Sequence, residues 1–277
     1  MHRILYATDF SANSENAFPH ALRLATAHDA ELLMLHVFDV PTFWQHPDTP
    51  DPLEIERQTV EESERRLREL YARHAGHGKV GFAAAGGVSV HRTILSETVA
   101  REAGMVVVGT RGASGAREAL IGSTTMALVR ECPVPVLAVP EGASSPSFEK
   151  VLFASDLQEE DVDAIERLVA LTAPLNTRIA LAHVAVPGEL EIESRMEGLL
   201  RDLRSRLPDS SFETDTLFSD DLSGTIDDIV RKGGFDVLAM LEKERVSLLD
   251  RLFHRDLVRR MEFHGRLPIL SLNAHAL

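Results

Sequence analysis

The stretch VVVGTRGASGAREALIGST, residues 106–124, joins an apolar run to a loop with four glycines and a Ser-Thr pair at which a helix can begin. Its glycines are Gly109, Gly112, Gly115 and Gly122. Ordering a glycine costs backbone entropy, so a cluster of glycines indicates a structural or functional requirement. A tight turn explains one or two of them and leaves the others to be explained.

On both sides of this stretch, short apolar runs alternate with amphipathic segments of helical length. In the first half the pattern predicts strands near 3–8, 31–38, 79–85, 105–109 and 134–139, and helices near 14–27, 53–74, 91–102 and 123–132. This alternation predicts an α/β fold, a doubly wound parallel sheet with helices on both faces. Ligands bind such sheets beyond the carboxyl ends of the strands, and the glycine loop follows strand four.

The sequence contains an internal repeat, in which segments of the first half match segments of the second half. The matching pairs are RILYATDFS (3–11) with KVLFASDLQ (150–158) and LLMLHV (32–37) with IALAHV (179–184). The first pair places Asp9 opposite Asp156. Between the copies, EGASSPS (141–147) has the composition of a linker. We therefore predict one domain over 1–140 and a second copy of it over 148–277.

The glycine loop is suited to an anion. Without Cβ atoms, Gly109, Gly112 and Gly122 let backbone amides approach a phosphate closely. The helix that follows adds unpaired N-terminal amides and the positive end of its dipole. The alternative is a flexible turn before a capped helix; the third glycine, the Ser-Thr pair and the preceding strand together favour the phosphate site.

Polar side chains in and beside the loop fit either interpretation. Ser123 and Thr124 can cap the helix or turn their hydroxyls to phosphate oxygens. Arg111 and Arg117 offer local positive charge in an acidic protein. Asp9 can accept hydrogen bonds from an adenine amino group or from ribose hydroxyls, or it can serve as a turn or N-cap residue before the first helix.

The spacing G-x2-G-x9-G-[ST], with ATDFS on strand one and LHV on strand two, resembles the universal stress protein family over both copies. The resemblance implies two tandem five-stranded parallel sheets with strand order 3-2-1-4-5. It also implies an ATP site at the carboxyl edge, with Mg²⁺ accompanying the nucleotide, and pairing through the last strand. Family members often carry Pro where this chain has Ala7.

The resemblance also implies roles for individual residues. Asp9 and Val37 contact the adenosine moiety. The residues that hold ribose and phosphates are Gly109, Arg111, Gly112, Gly122, Ser123 and Thr124. No catalytic residue and no protein-held metal is assigned.

The second copy lacks the loop. Aligning Pro135 with Pro268 in the final strands places charged residues at the loop positions: Glu242 at Gly109, Arg245 at Gly112, Arg255 at Gly122 and Asp256 at Ser123. Long side chains would fill the phosphate volume, and Asp256 would add negative charge at the helix start. We expect nucleotide in the first copy alone; the alternative is that the two arginines hold a different anion.

Composition limits the partners. The net charge of -14 argues against nucleic acid and anionic membrane surfaces as partners, because both require a basic surface. No apolar run reaches the ~18 residues of a membrane span and no signal peptide is evident, so we expect a cytoplasmic protein.

Cys132, the one cysteine, is expected to be a buried inert thiol. His36 and His183 are expected in the core, His74 and His77 in a solvated loop, and Trp44 packed within the protein.

Two classes of function remain. The first is a nucleotide-responsive stress or regulatory module that binds ATP. The alternative is a slow ATPase or nucleotidyl-transferring enzyme of the same superfamily, and a scaffold without nucleotide is a third. The chain has no G-x-x-x-x-G-K-[ST] motif, which excludes a P-loop ATPase. We also expect an intramolecular pseudo-dimer that brings strands 134–139 and 267–272 near each other, with a homodimer as a second compatible assembly.

Overall fold

Apolar strands and amphipathic helices alternate along the chain as the periodicity predicts. The computed structural model describes residues 1–39, 52–74, 78–111, 121–143, 145–185, 189–219, 221–243 and 267–273. Its residues divide into two units, Met1–Glu141 and Gly142–Leu277. Trp44, His77 and Gly112 lie outside the described residues, as do Arg245, Arg255 and Asp256.

The described residues of the first unit form five strands and four helices. In chain order they are β1 (Arg3–Ala7), α1 (Ala12–Ala27), β2 (Glu31–Asp39), α2 (Pro52–Arg73), β3 (Val80–Gly87), α3 (Val90–Ala100), β4 (Met105–Gly109), α4 (Ser123–Glu131) and β5 (Val136–Val139). The strands pair in parallel in the order β3-β2-β1-β4-β5. The predicted α/β fold and its 3-2-1-4-5 order are confirmed for this unit.

The second unit repeats this arrangement. Its elements are β6 (Lys150–Ala154), α5 (Glu160–Thr172), β7 (Arg178–Ala185), α6 (Ile192–Arg206), β8 (Phe212–Phe218), α7 (Leu222–Gly233), β9 (Val237–Glu242) and β10 (Ile269–Asn273). The parallel order is β8-β7-β6-β9-β10, which is again 3-2-1-4-5 when the strands are numbered within the unit.

The central strand of the first unit is fully buried, because helices cover both faces of a doubly wound sheet. Ile4, Leu5 and Tyr6 have no exposed surface. Cys132 is also fully buried, as predicted. The outer face of α2 carries Arg-Glu pairs at helical spacing, among them Arg57 with Glu54, whose side chains are about half exposed.

No helix among the described residues combines the length and the apolarity that crossing a membrane requires.

Candidate functional site

The carboxyl end of β1 runs into a tight, hydrogen-bonded turn. One carboxylate oxygen of Asp9 accepts from the Ser11 amide at 3.0 Å, and the Thr8 hydroxyl accepts from the Phe10 amide at 3.0 Å. Phe10 has φ of 61°, a left-handed conformation that a bulky residue rarely adopts. Ser11 is the N-cap of α1 and accepts from the Ser14 amide. Asp9 is therefore a turn residue rather than the N-cap.

Next to this turn, the end of β2 places His36 and Val37. The Nδ1 atom of His36 donates to the Thr8 carbonyl at 2.8 Å, because a carbonyl can only accept. Burial lowers the pKa of His36 below its ordinary value. The Phe10 ring lies 4.6 Å from the His36 ring, and the Arg66 guanidinium lies 3.9 Å above Phe10. His36 is thus half-buried with a backbone partner, in line with its predicted structural role.

Gly109, the last residue of β4, is required by packing. A Cβ atom there would lie 2.6 Å from the Asn13 Oδ1 atom and 3.0 Å from both the Asn13 carbonyl oxygen and the Ser14 Cα atom. The Thr125 hydroxyl donates to the Gly109 carbonyl at 2.9 Å, which ties α4 to the strand. Part of the glycine cluster is therefore explained by the close approach of α1 to β4.

At Gly122, an added side chain would not clash with any described residue as it would at Gly109. Its φ of -70° and ψ of 159° suit any residue, and an added Cβ would make an ordinary contact of 3.4 Å with the Thr110 carbonyl oxygen. Its amide donates to that same oxygen at 2.7 Å. The next atom that the Cβ would meet is the Arg111 Cα, at 3.9 Å. Among the described residues, neither backbone conformation nor packing beside Thr110 and Arg111 therefore demands a glycine here.

The predicted capping of α4 by Ser123 or Thr124 is wrong. Gly122 occupies the N-cap position, and no described side chain caps the helix. The chain enters the helix one residue earlier than a Ser N-cap would require, so both hydroxyl residues fall within the first turn. Ser123 is exposed and Thr124 is half-buried. Uncapped amides at a helix start favour an anion nearby.

The structure brings the predicted site residues that it describes, all except Gly112, to one edge of the first sheet. Parallel strands end at this edge, so Asp9 follows β1, Val37 lies near the end of β2 and Gly109 ends β4. Hydrogen bonds join the strand-four end to its neighbours: the Arg111 amide donates to Asn13, and Gly122 donates to Thr110. The described residues contain no cluster of three His, Cys, Asp or Glu side chains able to hold a metal ion. The described part of this edge therefore places backbone amides, polar side chains and the start of α4 next to one another.

In the second unit, the equivalent edge is filled by its own side chains. His183 is buried, as predicted, and its Nδ1 atom donates to the Ser155 carbonyl at 2.7 Å. Its Nε2 atom lies 3.1 Å from a Glu189 carboxylate oxygen, which also accepts from Arg195 at 2.8 Å. Arg195 donates further to the Asp156 carbonyl at 2.6 Å. An ionic and hydrogen-bonded network therefore covers the ends of β6 and β7.

The sequence alignment of the fourth strands is wrong by one residue. Tyr6 of β1 pairs with Val107, and the equivalent Phe153 of β6 pairs with Ala239, so Gly109 corresponds to Leu241 and not to Glu242. Val107 pairs with Leu137, 30 residues later, whereas Ala239 pairs with Leu270, 31 residues later. The segment between the fourth and fifth strands is thus one residue longer in the second unit, so the alignment anchored on the final prolines does not carry over to strand four. Glu242 is buried and corresponds to Thr110.

Sequence reasoning missed Asn13 and the pair Glu189 and Arg195. Asn13 lies on the buried face of α1, four residues before Ala17 and eight before Ala21. A polar residue on an otherwise apolar helical stripe is the signal that would have identified it. The Glu189–Arg195 pair has no such local signal, because its partners come from β6 and β7.

Comparisons with known proteins agree with this geometry. The model of the universal stress protein family matches residues 1–140. A universal stress protein of Mycolicibacterium smegmatis is 31% identical over 146 residues, which cover 49% of this chain and 47% of that protein. A universal stress protein of Thermus aquaticus is 29% identical over 137 residues, 49% of this chain and 96% of that protein. The chain thus spans about half the length of the Mycolicibacterium relative.

Solved structures show the same fold over a longer part of the chain. A universal stress protein from Archaeoglobus fulgidus superposes with a TM-score of 0.70 at 17% identity and covers 98% of both chains. A putative universal stress protein from Pseudomonas aeruginosa gives a TM-score of 0.61 at 16% identity, with 99% of this chain covered and 93% of the other.

Proposed function

The chain belongs to the universal stress protein family, and we propose that its first unit binds ATP and acts as a nucleotide-responsive regulatory module. The observation that carries the proposal is Gly122. It begins α4 without a cap from any described side chain, and neither its backbone angles nor packing against the described residues explains its missing side chain. A ligand that approaches the backbone at this point accounts for the glycine.

The proposed roles of the residues follow their places at the edge. From the family resemblance, Asp9 is assigned to the adenosine moiety beside Val37, and one of its carboxylate oxygens accepts from the Ser11 amide. The residues assigned to ribose and phosphates are Gly109, Arg111, Gly112, Gly122, Ser123 and Thr124. Gly109 contributes by letting α1 and β4 come together, while Gly122 leaves room for phosphate.

Mg²⁺ is proposed to arrive with the nucleotide. Mg²⁺ commonly keeps several waters and takes its remaining ligands from substrate phosphates and one or two carboxylates. The absence of a three-ligand cluster among the described residues is compatible with that mode of binding.

We infer that residues 1–140 and 148–277 are two copies of one domain, and that the second copy does not hold nucleotide. The Glu189–Arg195 network over β6 and β7, together with Leu241 at the position of Gly109, supports this inference. The expected pairing of the two copies as a pseudo-dimer stays a prediction.

The experiment is to purify the full chain, identify any retained nucleotide by mass spectrometry, and titrate the nucleotide-free protein with Mg-ATP by calorimetry. Phosphate release is then measured at high protein concentration. We expect saturable ATP binding and a turnover below about one per hour, far under the about 1 to 1,000 per second of ordinary enzymes. No heat of binding at millimolar ATP would overturn the proposal, and turnover at ordinary enzyme rates would favour the enzyme alternative.

A further inference from the structure

Asn13 lies in the first turn of α1 with its side chain directed at the end of β4. It is 94% buried, with a relative exposure of 6%. Its Oδ1 atom accepts from the Arg111 amide at 2.7 Å. Because a backbone N–H can only donate, this hydrogen bond fixes which atom of the carboxamide is the oxygen. The Nδ2 group is therefore a donor whose position is defined.

That donor has no hydrogen-bond partner among the residues that the structure describes, although the atom is out of contact with solvent. Its buried neighbours are satisfied: the hydroxyls of Thr8 and Ser14 bond each other at 2.9 Å, and Thr125 donates to Gly109. A buried unpaired donor costs free energy and is uncommon in native proteins. We infer that a ligand supplies the acceptor for this buried donor, which lies beside the proposed phosphate loop.

Gly109 and Asn13 act together. An added Cβ at Gly109 would approach the Asn13 Oδ1 atom to 2.6 Å, so the glycine provides the space that the carboxamide fills. The carboxamide in turn holds the amide of Arg111, the residue from which the glycine loop continues. Asn13 is therefore positioned by the same loop that is proposed to bind phosphate.

The second unit has lost this arrangement at every position. By strand register, Leu241 stands for Gly109 and Lys243 for Arg111, while Glu160 stands for Asn13. Lys243 forms an ion pair with Glu160 at 3.6 Å. The donor is thus replaced by a carboxylate, which is exposed and pairs with Lys243.

We propose that Asn13 is a specificity-determining residue of the nucleotide site, and that its Nδ2 group donates to a phosphate oxygen. The proposal rests on the proposed function and names the feature of the ligand that the site selects. An amide N–H₂ group can only donate, and phosphate oxygens can only accept when ionised. One side chain then joins the ligand, α1 and the strand-four loop, so the site favours a phosphorylated nucleoside over the nucleoside itself.

The test is Asn13→Asp in the full chain, titrated with Mg-ATP and, separately, with adenosine. Aspartate keeps an oxygen acceptor for the Arg111 amide and replaces the donor by a second oxygen. We expect ATP affinity to fall by about 10- to 100-fold, through the lost bond to a charged group, while adenosine affinity stays within about threefold. Asn13→Ala should give a smaller loss in the same direction, and serves if Asn13→Asp does not fold. The matched control is Glu160→Gln at the equivalent position of the second unit, which should leave both affinities unchanged.

Each outcome bears on a different claim. Unchanged ATP affinity in the Asn13 variants, or equal losses for ATP and adenosine, would overturn the role of Asn13 and leave the proposed function standing. Failure of the unmodified chain to bind ATP would overturn both.

Discussion

The two units end their first strands alike and their fourth strands differently. After β1 and β6 a hydroxyl accepts from the amide two residues on, that residue takes a left-handed φ, and a histidine from the neighbouring strand bonds the carbonyl. The matched residues are Thr8 and Ser155, Phe10 and Leu157, and His36 and His183. This turn is present in both units, so it belongs to the scaffold and does not by itself make a nucleotide site.

Among the described residues, the two units differ at the end of the fourth strand. The first unit has Gly109 against Asn13, whereas the second has Leu241, with Lys243 paired to Glu160. Under the proposed function, ligand binding depends on a small set of residues that make room and supply donors. These residues change without altering strand order or the turn after the first strand.

The largest expected effect is that of Gly122→Arg. A long side chain would occupy the proposed phosphate volume, and we expect ATP affinity to fall by about 100-fold or more, equivalent to about 2.8 kcal/mol. The fold should survive because the backbone angles suit any residue. Calorimetric titration and thermal unfolding measure the two effects. Gly198→Arg is the control, since an added Cβ at Gly198 meets nothing within 4 Å; unchanged ATP binding by Gly122→Arg would mean that the ligand lies elsewhere.

Alanine substitution of the aspartates that follow β1 and β6 compares ATP binding by the two units directly. Asp9→Ala should weaken ATP binding by about 1–3 kcal/mol, through one lost hydrogen bond to a charged group, and Asp156→Ala should have no effect. Asp9→Asn keeps an acceptor for the Ser11 amide and separates the ligand contact from the turn. Equal losses from Asp9→Ala and Asp156→Ala in a titration would contradict the assignment of the site to the first unit.

The alanine variants of Gly109 and Gly122 should differ in their free energy of unfolding. Gly109→Ala places a Cβ 3.0 Å from the backbone of α1, and overpacking of this kind costs about 1–3 kcal/mol of unfolding free energy. Gly122→Ala makes an ordinary contact and should change the unfolding free energy by about 0.5 kcal/mol or less. Chemical denaturation of the two variants measures the difference. Similar costs would show that the explanation of the glycine cluster is incorrect.

The smallest effect is a pH dependence from His36. Because burial lowers its pKa in the folded protein, the unfolded chain binds more protons below the ordinary value of about 6.5. The stabilising contribution is therefore present above that value and is lost as pH falls through the folded pKa. Denaturation midpoints at acidic and neutral pH should shift less for His36→Gln than for the unmodified chain. Identical shifts would show that His36 does not contribute to the pH dependence of stability.

Much of the fold follows from local pattern, because strand and helix periodicity is written in neighbouring residues. The predicted helix near 53–74 is found at Pro52–Arg73, and the predicted strand 105–109 is β4. The reason for Gly109 could not be predicted, since it depends on contact with Asn13 from a distant helix. The identity of Leu241 as its counterpart required the pairing of β6 with β9. Both the reason for Gly109 and the identity of its counterpart depend on contacts between segments far apart in sequence, which local sequence patterns do not reveal.

The central claim is that one of two similar sheet edges holds nucleotide. Calorimetric titration of the full chain with Mg-ATP tests it most directly, because the stoichiometry counts the sites. The account predicts one ATP per chain, and no measurable site after Gly122→Arg. Two equivalent sites per chain, or a single site that persists in Gly122→Arg, would contradict it.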